Sequence, residues 1–447
     1  MIEENNIEEQ LKLLSEEQIQ QALNLLQKKS IVFPELKNDG RPKNTIENFK
    51  VLLNHYDVTV KYNEMSKEYE IDIPNFRFHT DLKGNSTLAQ IRSWAHSQGF
   101  PVTEIDNYIL KVGSENSYHP VKDWLENGPE WDGIDRLPNY YDSIILERSN
   151  PMKNEIMRKW ALSLIGALYH YGFSCEGVLT MSGKQGKGKT IWIENLIPKE
   201  YHNVWNKDGV VIDTRNKDTI IKALKYWICE LGEVDATFKR SDIEALKGFI
   251  TEKKDVIRLP YEKKPNEYDR RTVFYATVNE EEFLQDSENR RFWVLSISGF
   301  NHGTIDPYQF WKQIKVMYDN IKDKISSAKD RDENKEYGWF MSPEQRTEMA
   351  PLQESYKTME PVEQVLEDNL LPFDAARGDW RNVTSILKMC SYGTPGKRDG
   401  NIAGKWLRKN GYTENSRKQF LVELVMSETK TDDDYKKSIP FKKWMKT

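Results

Sequence analysis

Apolar runs and longer helical repeats alternate along the chain, and this pattern predicts a mixed α/β protein. The apolar runs lie at 178–182, 226–231 and 273–278. Runs of this length suit strands that are buried on both faces of a parallel sheet. Apolar residues also recur at helical spacing over 155–171 and 307–324. We therefore expect an α/β core with a central parallel sheet over residues 151–325.

The regions on either side of this core have patterns of their own. Residues 1–30 carry apolar positions at helical spacing and predict a helical segment. Residues 31–150 mix short helices with a hairpin, which predicts a small α+β accessory domain. A charged linker and a helix occupy 326–360. Residues 361–447 predict three helices and then a strand pair, the outline of a winged-helix-like domain.

Composition and charge narrow the class of protein. The chain has 447 residues, a net charge of -5 and 30% charged residues. It has no apolar stretch of membrane-spanning length, and it opens on an acidic segment unlike a secretory leader. Its three cysteines are widely separated, which favours buried thiols over a disulfide framework or a zinc site. We expect a cytoplasmic protein with no membrane partner.

The residues after the first apolar run match a phosphate-binding pattern. Residues 183–190 read GKQGKGKT, which fits GxxxxGK[ST], between a predicted strand and a predicted helix. Glycines in such a loop let backbone amides and the helix N-terminus face phosphate oxygens. The lysine contacts the β and γ phosphates, and the threonine hydroxyl contacts magnesium. We expect ATP and Mg2+ to be held by Gly183, Gln185, Gly186, Lys187, Gly188, Lys189 and Thr190. The alternative is a glycine- and lysine-rich surface loop.

Carboxylates stand at the end of the second apolar run and just after it. P-loop enzymes use an acidic residue at the end of a neighbouring strand to hold magnesium, and often a second one to orient the attacking water. We assign Glu230 to the metal and Glu233 to the water. Because Leu231 and Gly232 separate the two acids, the reverse assignment stays open, as does a capping role for Glu233.

Polar residues also follow the third apolar run. Asn279 stands where an amide can sense the γ phosphate or hold the water, although an Asn at a strand end is often only a turn residue. Arg290 and Arg291 come next. An arginine that reaches across a subunit boundary stabilises charge at the neighbouring site, and a closed head-to-tail contact makes a ring. Pairing of either arginine with nearby acids is the alternative.

The order of these motifs resembles that of superfamily 3 helicases. A phosphate loop, an acidic strand end, a basic hairpin and an Asn strand end follow one another between residues 183 and 279. More closely, three stretches resemble the virulence-associated protein E family of phages and pathogenicity islands. They are YHPVKDWLENGPEWDGIDRL (118–137), WICELGEVD (227–235) and ATVNEEEFLQDSENRRFWVL (276–295). The resemblance covers residues 118 to 300 and thins outside them.

This resemblance implies an AAA+-like core in a hexameric ring that translocates on DNA as a replication helicase. For members from pathogenicity islands it also suggests a self-loading initiator that recognises its origin. In superfamily 3 helicases a hairpin with a basic tip projects into the ring channel and grips the DNA backbone. Here Lys263 and Lys264 stand at the tip of the predicted hairpin. Lys253 and Lys254 are rival contacts, and an ordinary charged loop remains the alternative.

A second basic cluster lies in the last domain. Lys405, Arg408, Lys409, Arg417 and Lys418, with Lys397 and Arg398, surround its third helix and the strands after it. A winged helix places such a surface on DNA, with a helix in the major groove and the wing on phosphates. We expect single- and double-stranded origin DNA as partners. A basic clamp without sequence preference is the alternative.

The expected function is that of an ATP-dependent DNA helicase and replication initiator of a mobile genetic element, with primase or other replication proteins as further partners. One alternative is an origin- or operator-binding ATPase in which ATP only drives oligomerisation. Another is the helicase part of a primase–helicase system. The residues before 118 are few for a polymerising domain, and only Glu70 and Asp72 form an acid-x-acid pair there.

Overall fold

A computed structural model describes the chain in eleven stretches: residues 31–77, 83–232, 234, 240–258, 264–279, 290–303, 305–325, 336–354, 356, 360–372 and 378–424. The chain forms two compact units. Of the described residues, one unit contains those up to 130 together with 224–227, and the other contains 131–223 and those from 228 onward. The predicted helix at 1–30 lies outside the described residues, and the division into five regions stays a prediction.

The first unit is a small α+β arrangement. Its elements are α1 (Ile46–His55), β1 (Thr59–Asn63), β2 (Glu68–Asp72), α2 (Lys83–Ser97), α3 (Ile105–Glu115), β3 (Ser117–Tyr118) and α4 (Pro120–Asn127). Strand β1 pairs antiparallel with β2 and parallel with β3. Phe49, Ile91 and Ile105 belong to the core beneath this sheet. The predicted hairpin is therefore confirmed.

The first part of the second unit contains a large sheet, a separate hairpin and the helices around them. They are α5 (Leu137–Asp142), β4 (Ile144–Leu146), α6 (Lys153–Tyr169), β5 (Val178–Ser182), α7 (Lys189–Glu194), α8 (His202–Trp205), β6 (Asn206–Val210), α9 (Lys217–Ala223), β7 (Ile228–Leu231), α10 (Arg240–Thr251), β8 (Lys254–Ile257), β9 (Asn266–Asp269), β10 (Val273–Val278), β11 (Phe292–Phe300), α11 (Pro307–Ile321) and α12 (Pro343–Glu354).

Six of these strands form one sheet in the order β4-β11-β5-β10-β7-β6. Strand β4 runs antiparallel to β11, and the other neighbours are parallel. After β5, the chain forms β6, β7 and β10 on one side of that strand. It then forms β11 on the other side, so the strand order reverses at β5. In open α/β sheets, ligands bind at the carboxyl ends of the strands where the order reverses. The predicted α/β fold with a mostly parallel sheet is confirmed, and its strand order reverses at β5.

Burial explains the apolar runs. Every residue of β5 and β7 is buried, as is almost all of β10. Helix α6 covers the sheet, and its Trp160 is fully buried with Nε1 donating to the Phe274 carbonyl at 3.0 Å. A buried tryptophan usually needs such a partner for its N–H group. Strands covered on both faces must be apolar along their whole length, which is why they lack the usual alternation.

The end of the described chain forms three helices and a two-stranded sheet. Its elements are α13 (Pro361–Asn369), β12 (Asp379–Arg381), α14 (Val383–Met389), α15 (Lys397–Lys409) and β13 (Phe420–Val422). Leu366, Leu387 and Leu407, one from each helix, share a core with β13. The predicted strand pair after the third helix is wrong in its order, because β13 pairs antiparallel with β12, which precedes α14. A three-residue strand such as β12 gives no measurable alternation in the sequence.

Two smaller expectations concern the whole chain. All three cysteines, Cys175, Cys229 and Cys390, are free and buried, as their spacing predicted. Among the described residues, no helix combines the length and the apolar character that crossing a membrane requires.

Candidate functional site

The glycine loop, residues 183–188, connects the carboxyl end of β5 to α7. Gly183, Gly186 and Gly188 have φ angles of 152°, 79° and 90°, values that residues with a side chain rarely adopt. A Cβ atom on Gly183 would stand 2.6 Å from the Ile297 carbonyl oxygen, so the loop also needs glycine for close packing. Gln185 and Lys187 are exposed between the glycines. The loop backbone therefore curls at three positions that favour glycine.

Lys189 follows the loop and joins it to the neighbouring strand β10. Its side chain is only 7% exposed. Its ammonium Nζ donates to the Asn279 Oδ1 atom at 3.2 Å and to the Val278 carbonyl at 3.3 Å, and it also donates to the Gly183 carbonyl. Strands β5 and β10 are paired with Ser182 beside Val278, so both ends meet at one edge. The structure therefore brings two predicted site residues, Lys189 and Asn279, into direct contact.

Glu230 lies on β7, the next strand along the same edge. Its Oε1 accepts a hydrogen bond of 2.6 Å from the Thr277 hydroxyl, and its Oε2 accepts one of 3.1 Å from the Gly209 amide. Burial raises the pKa of this carboxyl above its ordinary value, although both hydrogen bonds and the charge of Lys189 act in the opposite direction. The carboxylate is thus held in one orientation, which suits a group that positions a cation or a water.

Thr277 is a site residue that sequence reasoning missed. It lies on β10 two positions before Asn279, and the alternation of a strand directs the side chains of such a pair to the same side. The two-residue period of a strand was the signal that could have revealed Thr277. The run TVFYATV (272–278) was instead interpreted only as a buried strand. Thr277 therefore connects the Asn279 strand to Glu230.

The donor set that magnesium would use is small. Thr190 is half-buried in the first turn of α7, and Glu230 is the buried carboxylate on the same edge. Glu233 lies outside the described residues, so its role stays a prediction. Among the described residues, no group of three or more His, Cys, Asp or Glu side chains gathers around a metal-sized space. Mg2+ needs only one or two carboxylates when phosphate and water supply its other ligands, so the residues present fit.

The paired arginines lie at the amino-terminal ends of the strands, opposite the carboxyl ends that carry the candidate site. Arg291 immediately precedes β11, whose Phe292 pairs with Val178 at the start of β5. Arg291 Nη1 forms an ion pair of 2.7 Å with Glu176, and both side chains are mostly buried. Arg290 is exposed, and within the described part of the chain no ion pair holds it. At about 3.3 Å per strand residue, the length of β5 separates both arginines from their own glycine loop by about 13 Å or more.

The family of the chain follows from a comparison with known domains. Residues 125–358 match the virulence-associated protein E-like domain. The chain belongs to this family. The matched range contains the glycine loop, Glu230, Asn279 and both arginines, so the whole candidate site lies within the family domain. No curated protein matches the chain.

Solved structures similar to this family member include three of the C-terminal region of NrS-1. An A-form apo structure is 14% identical and covers 86% of this chain and 100% of that chain, with a TM-score of 0.39. A second apo structure is 15% identical, covers 85% and 98%, and has a TM-score of 0.36. Another A-form apo structure is 13% identical, covers 85% and 99%, and has a TM-score of 0.38.

The family domain also contains the predicted hairpin. Strands β8 and β9 pair antiparallel, which confirms it. Lys264 is exposed in the connection between them, and Lys263 lies outside the described residues. Of the rival contacts, Lys253 is exposed and Lys254 pairs with Glu267 at 3.1 Å.

A buried ion pair fixes the base of this hairpin. Arg270 makes two hydrogen bonds of 2.6 and 2.7 Å with Asp255, and both side chains are buried. The guanidinium also lies 4.5 Å from the centre of the Phe249 ring. Arg270 stands just before β10, the strand that ends at Asn279. The hairpin base is therefore anchored beside a strand of the candidate site.

The predicted DNA-contacting residues of the last region lie outside the family match, around α15. Lys405, Arg417 and Lys418 are exposed, and Lys418 has a φ of 56° in the turn before β13. Three other members of the basic cluster are held by acids, and one of them is Arg398, which pairs with Glu360 at 3.0 Å. Arg408 pairs with Glu414 at 2.7 Å, and Lys409 pairs with Glu354. The surface thus has exposed cations at both its helix and its turn.

Proposed function

We propose that this chain is an ATP-dependent DNA helicase that acts as a ring and initiates replication of a mobile genetic element. One observation carries the proposal: the buried Lys189 contacts Asn279 across two parallel strands, beside the carboxylate of Glu230 on the third. A cation, an amide and an acid at the carboxyl edge of adjacent strands are the groups that phosphoryl transfer to water requires.

In this proposal each residue has a separate task. The amides of the glycine loop and the Lys189 ammonium hold the phosphates, and Lys189 leaves its present carbonyl partners to do so. Thr190 and Glu230 hold Mg2+, which when bound neutralises charge on the β and γ phosphates. Asn279 stands beside the γ phosphate and orients the attacking water. Glu233 is the proposed group that polarises this water. The P-loop and AAA+-like assignment is supported by the strand order, in which the loop strand lies between the Asn279 strand and β11.

The ring is supported by the position of the arginines. Arg290 is too far along the sheet to reach the phosphates of its own site, yet it is exposed and available to a neighbour. A head-to-tail contact brings the amino edge of one sheet to the carboxyl edge of the next, and such contacts close into a ring. Arg291 is the weaker choice because Glu176 already holds it. We propose a hexamer on the strength of the family resemblance.

Two basic surfaces supply the proposed contacts with DNA. The β8–β9 hairpin, with Lys263 and Lys264 in its connection, would follow single-stranded DNA in the ring channel. The last region would act as a winged helix, a proposal supported by its order of helix, strand, helix, helix and strand. Asn401, Lys405 and Arg408 recur along one exposed stripe of α15, the spacing that a helix needs to reach into a groove.

The winged-helix proposal has its own test. Each phosphate contact that is lost lowers the slope of log K against log salt by about 0.9. We expect Lys405→Ala and Lys418→Ala to weaken binding to duplex DNA severalfold and to reduce this slope. Lys388→Ala, which alters an exposed lysine on α14, is the matched control and should do neither. Unchanged slopes in all three variants would place the DNA contacts elsewhere.

Strand displacement from a forked duplex tests the motor itself. Displacement that requires ATP hydrolysis supports the helicase. Assembly on DNA that depends on ATP, with hydrolysis but without displacement, supports the alternative of an origin-binding switch. The size of the particle with and without ATP and DNA would report whether the proposed ring forms.

A further inference from the structure

His302 flanks the glycine loop on the side away from Glu230. It follows β11, the neighbour of β5 on that side. Its Nδ1 atom is 3.1 Å from the Nδ2 atom of Asn195, the C-cap residue of α7. Its Nε2 atom is 3.1 Å from the position that a Cβ atom on Gly188 would take. The imidazole therefore lies against the last residue of the loop, and its Nε2 edge faces the loop.

The Asn195 contact fixes the chemistry of that edge. Because the amide Nδ2 donates to Nδ1, a neutral His302 ring carries its proton on Nε2. The ring also stands 5.8 Å from the Phe300 ring, which in turn stacks on Trp192 of α7 at 6.0 Å. Asn195 and Phe300 thus contact the His302 ring from two sides, and the Nε2–H donor of the ring faces the loop.

The two sides of β5 differ in character. Strands β10 and β7 carry Asn279 and Glu230, so the terminal phosphate of a bound nucleotide must lie on that side for hydrolysis. The nucleoside then extends from the loop toward β11. We infer that His302 contacts the nucleoside half of the nucleotide and that Asn195 positions the imidazole. This inference rests on the proposed function and adds a binding residue to it.

Two ligands that differ by the nucleoside test the inference. ADP carries both halves of the ligand, whereas inorganic pyrophosphate carries only the phosphates. One lost hydrogen bond corresponds to about a tenfold loss of affinity. In titration calorimetry, His302→Ala should raise the Kd for ADP about tenfold and leave the Kd for pyrophosphate unchanged. Asn195→Ala should raise the Kd for ADP by a smaller factor. Steady-state hydrolysis by His302→Ala should show a higher KM with an unchanged kcat.

His96→Ala, an exposed histidine on α2, is the matched control and should change neither affinity. Equal losses for ADP and pyrophosphate in His302→Ala would overturn the inference, because the ring would then contact phosphate. No loss for either ligand would overturn it as well, while leaving the proposed hydrolysis at Lys189 intact. Failure of the proposed function is a different result: the unaltered chain would neither bind ADP nor hydrolyse ATP.

Discussion

The Nζ atom of Lys189 lies 3.2 Å from the Oδ1 atom of Asn279, although ninety positions separate the two residues along the chain. Asn279 directly follows β10, whereas Lys189 opens the helix that the glycine loop connects to the end of β5. Parallel pairing of β5 and β10 brings these two strand ends together. In the proposed function, this contact between a cation and an amide marks the place of the γ phosphate.

Loss of the Asn279 amide should slow the chemical step more than it weakens binding. We expect Asn279→Ala to lower kcat for ATP hydrolysis by about 100-fold, the loss typical of removing one group that stabilises the transition state. The Kd for ADP should change little, because ADP lacks the phosphate that Asn279 faces. Asn154→Ala, an exposed position on α6, serves as the control. A kcat within twofold of the unaltered protein would contradict the assigned role.

The Glu230 carboxylate should support hydrolysis but lower the stability of the folded protein. Burial raises the pKa of its carboxyl, so the ionised form is disfavoured in the folded protein. A raised carboxyl pKa means that the folded state binds more protons than the unfolded state, so this group lowers the free energy of unfolding as pH rises through that range. Glu230→Gln should therefore abolish Mg2+-dependent hydrolysis and raise the Tm at pH 7.5. A lower Tm would show that the Thr277 and Gly209 hydrogen bonds outweigh the burial of charge.

Arg290 should act on the neighbouring subunit. Arg290→Ala and Lys189→Ala should each be inactive alone, because one lacks the arginine and the other lacks the lysine. In a random equal mixture, about a quarter of the sites have an intact Lys189 and an intact Arg290 from the next subunit. We expect ATP hydrolysis to recover to about that fraction of the unaltered rate.

Arg291 differs from Arg290 in its expected effect on stability. Arg291→Ala removes the partner of the mostly buried Glu176, so it should lower the Tm, whereas Arg290→Ala should not. The absence of recovery in every Arg290→Ala mixture would count against action between subunits.

Lys159 gives the clearest dependence of stability on pH. Its Nζ atom donates to the carbonyls of Gly338 and Phe340, at 3.0 and 2.6 Å, and burial lowers its pKa to about 8. Between pH 8 and the ordinary lysine value of 10.5, the unfolded chain binds more protons than the folded chain. The free energy of unfolding should therefore rise across this window, by about 2–3 kcal/mol.

Urea unfolding at pH 8 and pH 10.5 measures that rise. Lys159→Met removes the titrating group and should abolish the increment, while other groups titrate equally in both proteins and cancel in the comparison. An identical pH response in Lys159→Met would show that Lys159 is not its source.

Local patterns predicted much of the fold and of the site. The strand, glycine loop and helix around Lys189, the strands before Glu230 and Asn279, and the β8–β9 hairpin all follow from apolar runs and turn residues. These features are encoded within short stretches of sequence. The parallel α/β class follows as well, because only strands covered on both faces are apolar throughout.

Register and long-range packing were not available from the same patterns. Pairing of β10 with both β5 and β7 decides that Thr277 contacts Glu230 and that Asn279 contacts Lys189. The position of His302 beside Gly188 depends on β11 lying next to β5, which no spacing along one chain specifies. Strand β4 likewise joins the sheet from a region whose composition predicted an accessory domain, because three residues give too little periodicity to assign a partner.

Strand displacement by a Lys189 variant tests the central claim most directly. A forked duplex with a fluorophore and a quencher on opposite strands reports unwinding when ATP and Mg2+ are added. We predict displacement by the unaltered protein and by Lys199→Ala, an exposed lysine outside the loop, and only background signal from Lys189→Ala. Displacement by Lys189→Ala at the unaltered rate would contradict the account.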